Sequence, residues 1–186
     1  NNPSYSYREF QGSAIPKFYG SFSPSVRYKS FAVSALFTYS IGGKVFDNVY
    51  KTLMTTSGTP QNNHVDILKS WQGVPDGMTA DSPDRIAPHG IPQVNSGLSA
   101  NNNAVSSRWL VDASYIVLKN LYASYDLPKA WSNVAGLQNV RVSLSCENLF
   151  TNTKRQGMNP QQSSNGFQYN CLVTPRVFTL GVDVKF

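Results

Sequence analysis

The chain has 186 residues, of which 40% are hydrophobic and only 14% charged, with a formal net charge of +6. Soluble globular chains carry about 25% charge, so ionised side chains do not account for its behaviour in water. Ten Tyr and ten Phe exclude a disordered polar chain, which goes with few aromatics. The 16 Lys and Arg are scattered singly, which argues against a nucleic-acid partner. No run of about 18 apolar residues is present, so a membrane-spanning helix is excluded, while a β-barrel is not.

From Phe18 to Tyr28 the even positions read Phe18, Gly20, Phe22, Pro24, Val26 and Tyr28, and the odd ones are mostly Ser. This period of two predicts a strand with one apolar and one polar face. From Phe31 the apolar set moves to odd positions: Phe31, Val33, Ala35, Phe37, Tyr39 and Ile41. A two-residue loop at Lys29-Ser30 puts Tyr28 opposite Phe31, and then every later apolar pair matches, down to Phe18 opposite Ile41. Tyr39 is expected to cover the bare backbone of Gly20. Strands of about eleven residues are twice the globular mode but match the ~9–11 tilted residues that cross a bilayer. Phe18 and Tyr28 lie about 33 Å apart along the strand, or about 25 Å in depth after tilt, the height of a lipid-facing band between aromatic girdles.

Residues 42–108 are polar and rich in Gly, Asn, Pro and Ser. So long a connection signals a functional loop, with a short helix expected over Val65 to Trp71. Three further strands are predicted, over about 114–126, 139–150 and 175–186. Both faces of the first carry apolar groups, and Ile116, Leu118 and Tyr122 are expected outward so that Lys119 avoids the midplane. In the second, Val140, Val142, Leu144, Cys146 and Phe150 share one face. The last alternates Phe178, Leu180, Val182, Val184 and Phe186 with Thr179, Gly181, Asp183 and Lys185.

Cys146 and Cys171 would sit about six residues out of register, roughly 20 Å, in the final hairpin, so two free thiols are expected. Asp76, Asp81, Asp84, His64 and His89 fit no metal-ligand spacing and read as solvated loop charges. No nucleophile elbow or paired acid and base is present, so neither catalysis, a metal nor a cofactor is expected. Trp71, Tyr50 and Tyr169 are the candidate ligand-binding residues, because a flat ring packs on an apolar ligand face while Asn and Gln supply hydrogen bonds. Trp71 equally suits packing of its own loop or a partner. Trp109 is expected at a membrane interface, and Arg141, Glu147, Asp183 and Lys185 on a lumen face, as a cross-strand charge set bonded to a plug or to water, or else lining a substrate path.

The stretch from Gly12 to Gly20, the run Ser107-Arg108-Trp109-Leu110-Val111-Asp112-Ala113-Ser114-Tyr115 with Leu118-Lys119-Asn120, and Glu147-Asn148-Leu149-Phe150 followed by Gly157-Met158-Asn159-Pro160 resemble the C-terminal barrel region of SusC/RagA-type TonB-linked outer-membrane proteins of the Bacteroidetes. The close from Thr174 to Phe186 is similar to that family's last strand. The resemblance spans almost the whole chain. It implies an all-β, antiparallel transmembrane β-barrel of 22 strands, with this chain, residues 1–186, as the last five or so. It also implies a plug, a SusD-like surface lipoprotein, energy from TonB, outer-membrane lipid around the wall, and a glycan or peptide as cargo. Phe178, Leu180, Val182, Val184 and Phe186 resemble the terminal signal read by barrel-assembly machinery. The expected strands are about 18–28, 30–41, 114–126, 139–150 and 175–186, with extracellular loops about 1–17, 42–108 and 151–172. Five strands cannot close a barrel and the plug is not in this sequence, so the expectation is the C-terminal part of a longer polypeptide. The rival reading is a soluble, secreted β-sandwich that binds carbohydrate, its apolar faces packed on each other.

Overall fold

The structure is a computed structural model that describes residues 9–56, 61–86, 90–134, 136–154, 158–159, 161, 165–169 and 174–186. Cys171 and His89 lie outside the described residues, as do residues 1–8 of the predicted first loop.

The apolar alternation becomes strands β1 (Phe18–Phe22) and β2 (Ser25–Tyr28), which together face β3 (Phe31–Ile41). Pro24 has no amide to donate, and it falls between β1 and β2; its carbonyl still accepts from Ala35 N–H at 3.0 Å. Phe18 pairs with Ile41, Gly20 with Tyr39, Phe22 with Phe37, Val26 with Val33 and Tyr28 with Phe31, the register the alternation predicts. Phe22 and Phe37 stack with centroids 4.8 Å apart. A Cβ on Gly20 would stand 2.9 Å from the Tyr39 hydroxyl, so the ring does cover that bare backbone. At the turn, Lys29 takes a left-handed φ of 52°.

Next come β4 (Lys44–Asp47), α1 (Asn48–Leu53), α2 (Ser99–Asn102) and β5 (Leu110–Asp112), with a 3-10 turn over Val65–Lys69 where a short helix was expected. The chain then returns through β6 (Tyr115–Asp126), α3 (Lys129–Val134), β7 (Asn139–Thr153), β8 (Phe167–Gln168) and β9 (Val177–Lys185). The main sheet is antiparallel in the order β1-β3-β6-β7-β9, with β2 also on β3. A second sheet, β5-β4-β8, joins the long connections. The short connections, Lys29-Ser30 and 127–138, lie at one end of the main sheet and the long ones at the other.

β6 departs from the expectation. Leu36 pairs with Asn120 but Phe37 with Leu118, and Asn120 pairs with Glu147 while Leu118 pairs with Phe150. Across this line β3 advances one residue, β6 two and β7 three, so each strand gains one residue on its neighbour, as a β-bulge requires. Lys119 and the pair Asn148-Leu149 are the residues between these pairings, and Asn148 takes a φ of 51°. The bulge reverses the parity of β6. Ile116 and Leu118 share the face of Tyr39 and Phe37, as expected, but beyond Lys119 that face is taken by Leu121, Ala123 and Tyr125. Tyr122 pairs with Ser34 on the polar side, not outward. The apparent two-sided apolarity of this strand is one apolar face that changes phase.

Among the described residues no second sheet packs on the apolar face of the main sheet, and its strands leave that face open. Phe18, Val26, Tyr28, Phe31, Leu144, Phe150, Phe178, Leu180 and Val182 are all exposed, from 44% for Leu144 to 72% for Leu180. Among the described residues, the buried cluster lies elsewhere, in the long connections: Phe46, Met54 and Trp109, with Tyr50, Ile67, Ile91 and Leu110 against it. A sandwich would bury the stripes against each other. Here they face out. No helix among the described residues is long and apolar enough to cross a membrane, which says nothing of crossing by strands.

Candidate functional site

The long connections form a folded layer at one end of the sheet. β4 anchors it, bonded antiparallel to β5 through Val45 and Val111 and parallel to β8 through Phe46 and Phe167. Asp47 caps α1 by accepting from Tyr50 N–H at 2.8 Å, satisfying a donor that the first helical turn leaves open. Phe46, Met54 and Trp109 then close on one another. Trp109 is 1% exposed, and its indole N–H donates to the Ala104 carbonyl at 3.0 Å, so it is an interior residue of this layer and not a membrane-interface one. The Arg108 guanidinium lies 4.6 Å over the Trp109 ring, and burial holds Arg108 below its ordinary pKa.

Tyr50 belongs to the same interior. Its ring meets His64 edge-on at 4.8 Å and Trp109 at 5.9 Å, and its hydroxyl donates to Asp66 Oδ2 at 3.1 Å. Burial, then that hydrogen bond, push the Tyr50 pKa up. Asp66 is held below the usual carboxylate range, first by the Lys69 ammonium at 2.8 Å and next by the Tyr50 hydroxyl. His64 Nδ1 accepts from the Asp66 backbone N–H at 3.1 Å.

Trp71 and Tyr169 stand apart from this cluster. Trp71 donates its backbone N–H to the Ile91 carbonyl at 2.9 Å and its indole N–H to the Arg85 carbonyl at 3.0 Å. Beside it opens a cavity of about 410 Å³ lined by Lys69, Trp71, Ile86, Gly90, Ile91, Pro92 and Gln93; neither Tyr50 nor Tyr169 lines it. Tyr169 is 57% exposed and stacks on Phe167 at 6.1 Å, which in turn packs on Phe46 at 5.5 Å. The three aromatic candidates thus occupy three settings: an interior ring, a ring beside a cavity, and an exposed ring on a stack.

At the opposite end, the polar face of the sheet carries a charge ladder. Arg141 stands in register between Asp126 and Asp183, and its Nε donates to Asp126 Oδ1 at 2.6 Å. Arg27 reaches the same carboxylate at 3.5 Å. The sequence pointed to Arg141 and Asp183 but missed Asp126 and Arg27, whose position beside them depends on pairing across four strands. Cys146 is a buried free thiol paired with Phe178. Among the described residues, no group of three or more His, Cys, Asp or Glu could hold a metal ion.

An open antiparallel sheet with an outward apolar face, a polar inner face, short turns at one end and long folded connections at the other has the architecture of an outer-membrane barrel wall. No family model matches the chain. It is 30% identical over 190 residues to TonB-dependent receptor P3 of Formosa agariphila, across 96% of this chain, and 22% identical over 163 residues to TonB-dependent receptor P39 of the same organism. It spans only 17% and 14% of those relatives. Its fold matches solved structures of the RagAB peptide importer in the "closed-closed" and "open-open" states, with TM-scores of 0.69 and 0.66 over 95% of this chain and 18% of theirs, at 24% identity. The chain belongs to the TonB-dependent receptors, and it shares the fold of the matching part of the RagAB peptide importer.

Proposed function

We propose that the chain supplies the closing strands of a 22-stranded transmembrane β-barrel in the outer membrane of a Gram-negative bacterium, and that the whole receptor imports a large nutrient, a glycan or a peptide. The other strands, the plug and the TonB-contacting segment belong to parts of the receptor beyond this sequence, and a SusD-like lipoprotein closes the outer end. The receptor performs no chemistry on its cargo. The loop layer built on Trp109, with Tyr50 packed inside it, forms the outer mouth, and Trp71 and Tyr169 are its aromatic contacts for cargo or lid. Phe178, Leu180, Val182, Val184 and Phe186 serve both lipid and the assembly machinery.

The observation that carries this reading is the stripe of exposed large apolar residues on one face of the main sheet, to which every strand contributes, against only Tyr19, Leu36 and Val177 exposed on the other among the described residues. Water gives no reason for a contiguous apolar face of that extent, whereas hydrocarbon requires one. The opposite face carries Ser34, Ser124, Ser143, Arg141 and Asp183, as a hydrated interior does. The test is fractionation of the full-length receptor, with growth on the nutrient followed in cells with and without an energised TonB. Retention in the membrane after carbonate washing, together with TonB-dependent growth, is the expected result. Release as a monodisperse monomer without detergent would overturn the proposal.

A further inference from the structure

The outward face of the sheet is indented at the end that carries the loop layer. A groove of about 580 Å³ lies there across β3, β6 and β7, within the range of about 300–1,000 Å³ typical of ligand sites. Its floor is Phe22, Tyr39, Ile41 and Ile116, and Phe22 is 49% and Ile41 52% exposed. Tyr39 pairs with Gly20 on one side and Ile116 on the other, and its ring lies over the glycine, where an added Cβ would meet the hydroxyl at 2.9 Å. A ring lying along the sheet instead of standing off it leaves the depression.

The upper end of the groove is polar: Asp112, Ser114, Asn152 and Lys154. Ser114 donates its backbone N–H to Asp112 Oδ1 at 2.7 Å, and its hydroxyl donates to the same oxygen while accepting from Gly42 N–H at 2.9 Å. The carboxylate is thereby set in position before any ligand arrives, and its Oδ2 takes no hydrogen bond from a described residue. The Ser114 bonds first, and the nearby Lys154 charge after them, hold the Asp112 carboxyl below the usual carboxylate range. Lys44 stands opposite Asp112 in register, but its chain runs over Gly12 as that of Lys17 runs over Gly42, and neither lines the groove. An apolar floor thus ends in one ammonium and one carboxylate, side by side at the level where the sheet gives way to the loops.

We propose that this groove seats one phospholipid of the phosphatidylethanolamine type, an acyl chain against Phe22, Tyr39 and Ile116, its phosphate at Lys154 and Asn152, and its primary ammonium on Asp112 Oδ2. The proposal rests on the membrane reading and goes beyond it, since the rest of the wall meets lipid without distinguishing one head group from another. Lys154, with Lys17 and Lys44 behind it, favours a phosphate, which every phospholipid carries. Asp112 makes the choice among heads. A primary ammonium donates charge-assisted hydrogen bonds to the carboxylate, a trimethylammonium has no N–H to give, and a glycerol head brings no cation and leaves the carboxylate against the phosphate.

The test uses the full-length receptor in nanodiscs of mixed phosphatidylethanolamine, phosphatidylglycerol and phosphatidylcholine, each lipid in turn carrying a trace of the same diazirine-bearing acyl chain, irradiated and mapped by mass spectrometry. Adducts on 18–22, 37–41 and 115–118 should form from the ethanolamine lipid about fivefold more than from either of the others, as one partly exposed ion pair allows. On 178–184, along the open stripe of β9, the three should label alike. Asp112→Asn keeps an oxygen for the Ser114 bonds and should erase the preference. Lys154→Gln, at an exposed position, should lower groove labelling by all three lipids and leave 178–184 unchanged. Equal labelling of the groove by the three, a preference for the glycerol head, a preference that survives Asp112→Asn, or a groove left unlabelled would overturn the proposal. Labelling on 178–184 without a preference at the groove sinks the lipid site alone, whereas no labelling at either place sinks the membrane reading.

Discussion

Val182 offers the sharpest energetic test of where the apolar face looks. It stands on β9 four residues from both Phe178 and Phe186, about 13 Å along the strand from each, or about 10 Å in depth at a tilt of ~40°. It is 60% exposed and pairs with Val142, so no protein group on that face shields it. In water, Val182→Arg would change stability by no more than about 0.5 kcal/mol, as exposed substitutions do. At a bilayer midplane the same change costs about 2–4 kcal/mol, a factor of about 30 to 900 in the folding equilibrium. Val184→Arg lies about 5 Å nearer the Phe186 girdle, and its cost should fall between that figure and the ~0–1 kcal/mol of the interface. Thr179→Arg, on the polar face, should cost no more than about 0.5 kcal/mol. The assay is guanidinium titration of the full-length receptor in lipid vesicles, following the heat-modifiable folded band. Equal costs at 179 and 182, or none at either, would refute the reasoning.

The loop layer gives two further expectations. Trp109→Ala empties the site of a residue that is 1% exposed and should cost about 3–5 kcal/mol locally; hydrogen exchange should rise across 44–54 and 110–112 while β7 and β9 stay protected. Asp66 has a folded pKa below its ordinary 3.8 through Lys69 and Tyr50. A carboxylate depressed in the folded state contributes stability that is complete above the unfolded value and is lost as pH falls through the folded one. Protease resistance of the layer should therefore hold above pH about 5 and decline below about 3.8, and Asp66→Asn should remove that part of the acid dependence.

How much could be read in advance depended on whether neighbours in sequence were neighbours in space. The register of the first hairpin was legible because the Phe18–Tyr28 alternation and its mirror from Phe31 are separated by two residues, so one loop length aligns every pair. The face of β7 was legible too, since Val140 to Phe150 keep their parity through Asn148. β6 was misread at Tyr122 because Lys119 enters a bulge set by β3 and β7 together, and no residue within 115–126 announces it. Trp109 was misassigned for a similar reason: indole suits an interface, and its burial depends on Phe46, Tyr50 and Met54, more than fifty positions upstream and without periodicity. Trp71 was singled out for its ring alone; the cavity beside it required the fold to bring Arg85, Ile86 and 90–93 back against it.

Nitroxide scanning along β6 in the full-length receptor, reconstituted in a bilayer with its native cysteines, Cys146 and Cys171 among them, replaced by Ser, tests the central claim most directly. Collisions with dissolved oxygen, which concentrates in hydrocarbon, should be high at 116 and 118, fall at 120, and be high again at 121, 123 and 125, a period of two whose phase reverses at Lys119. Uniform collision with an aqueous nickel complex along the strand, or an unbroken alternation through 119, would contradict it.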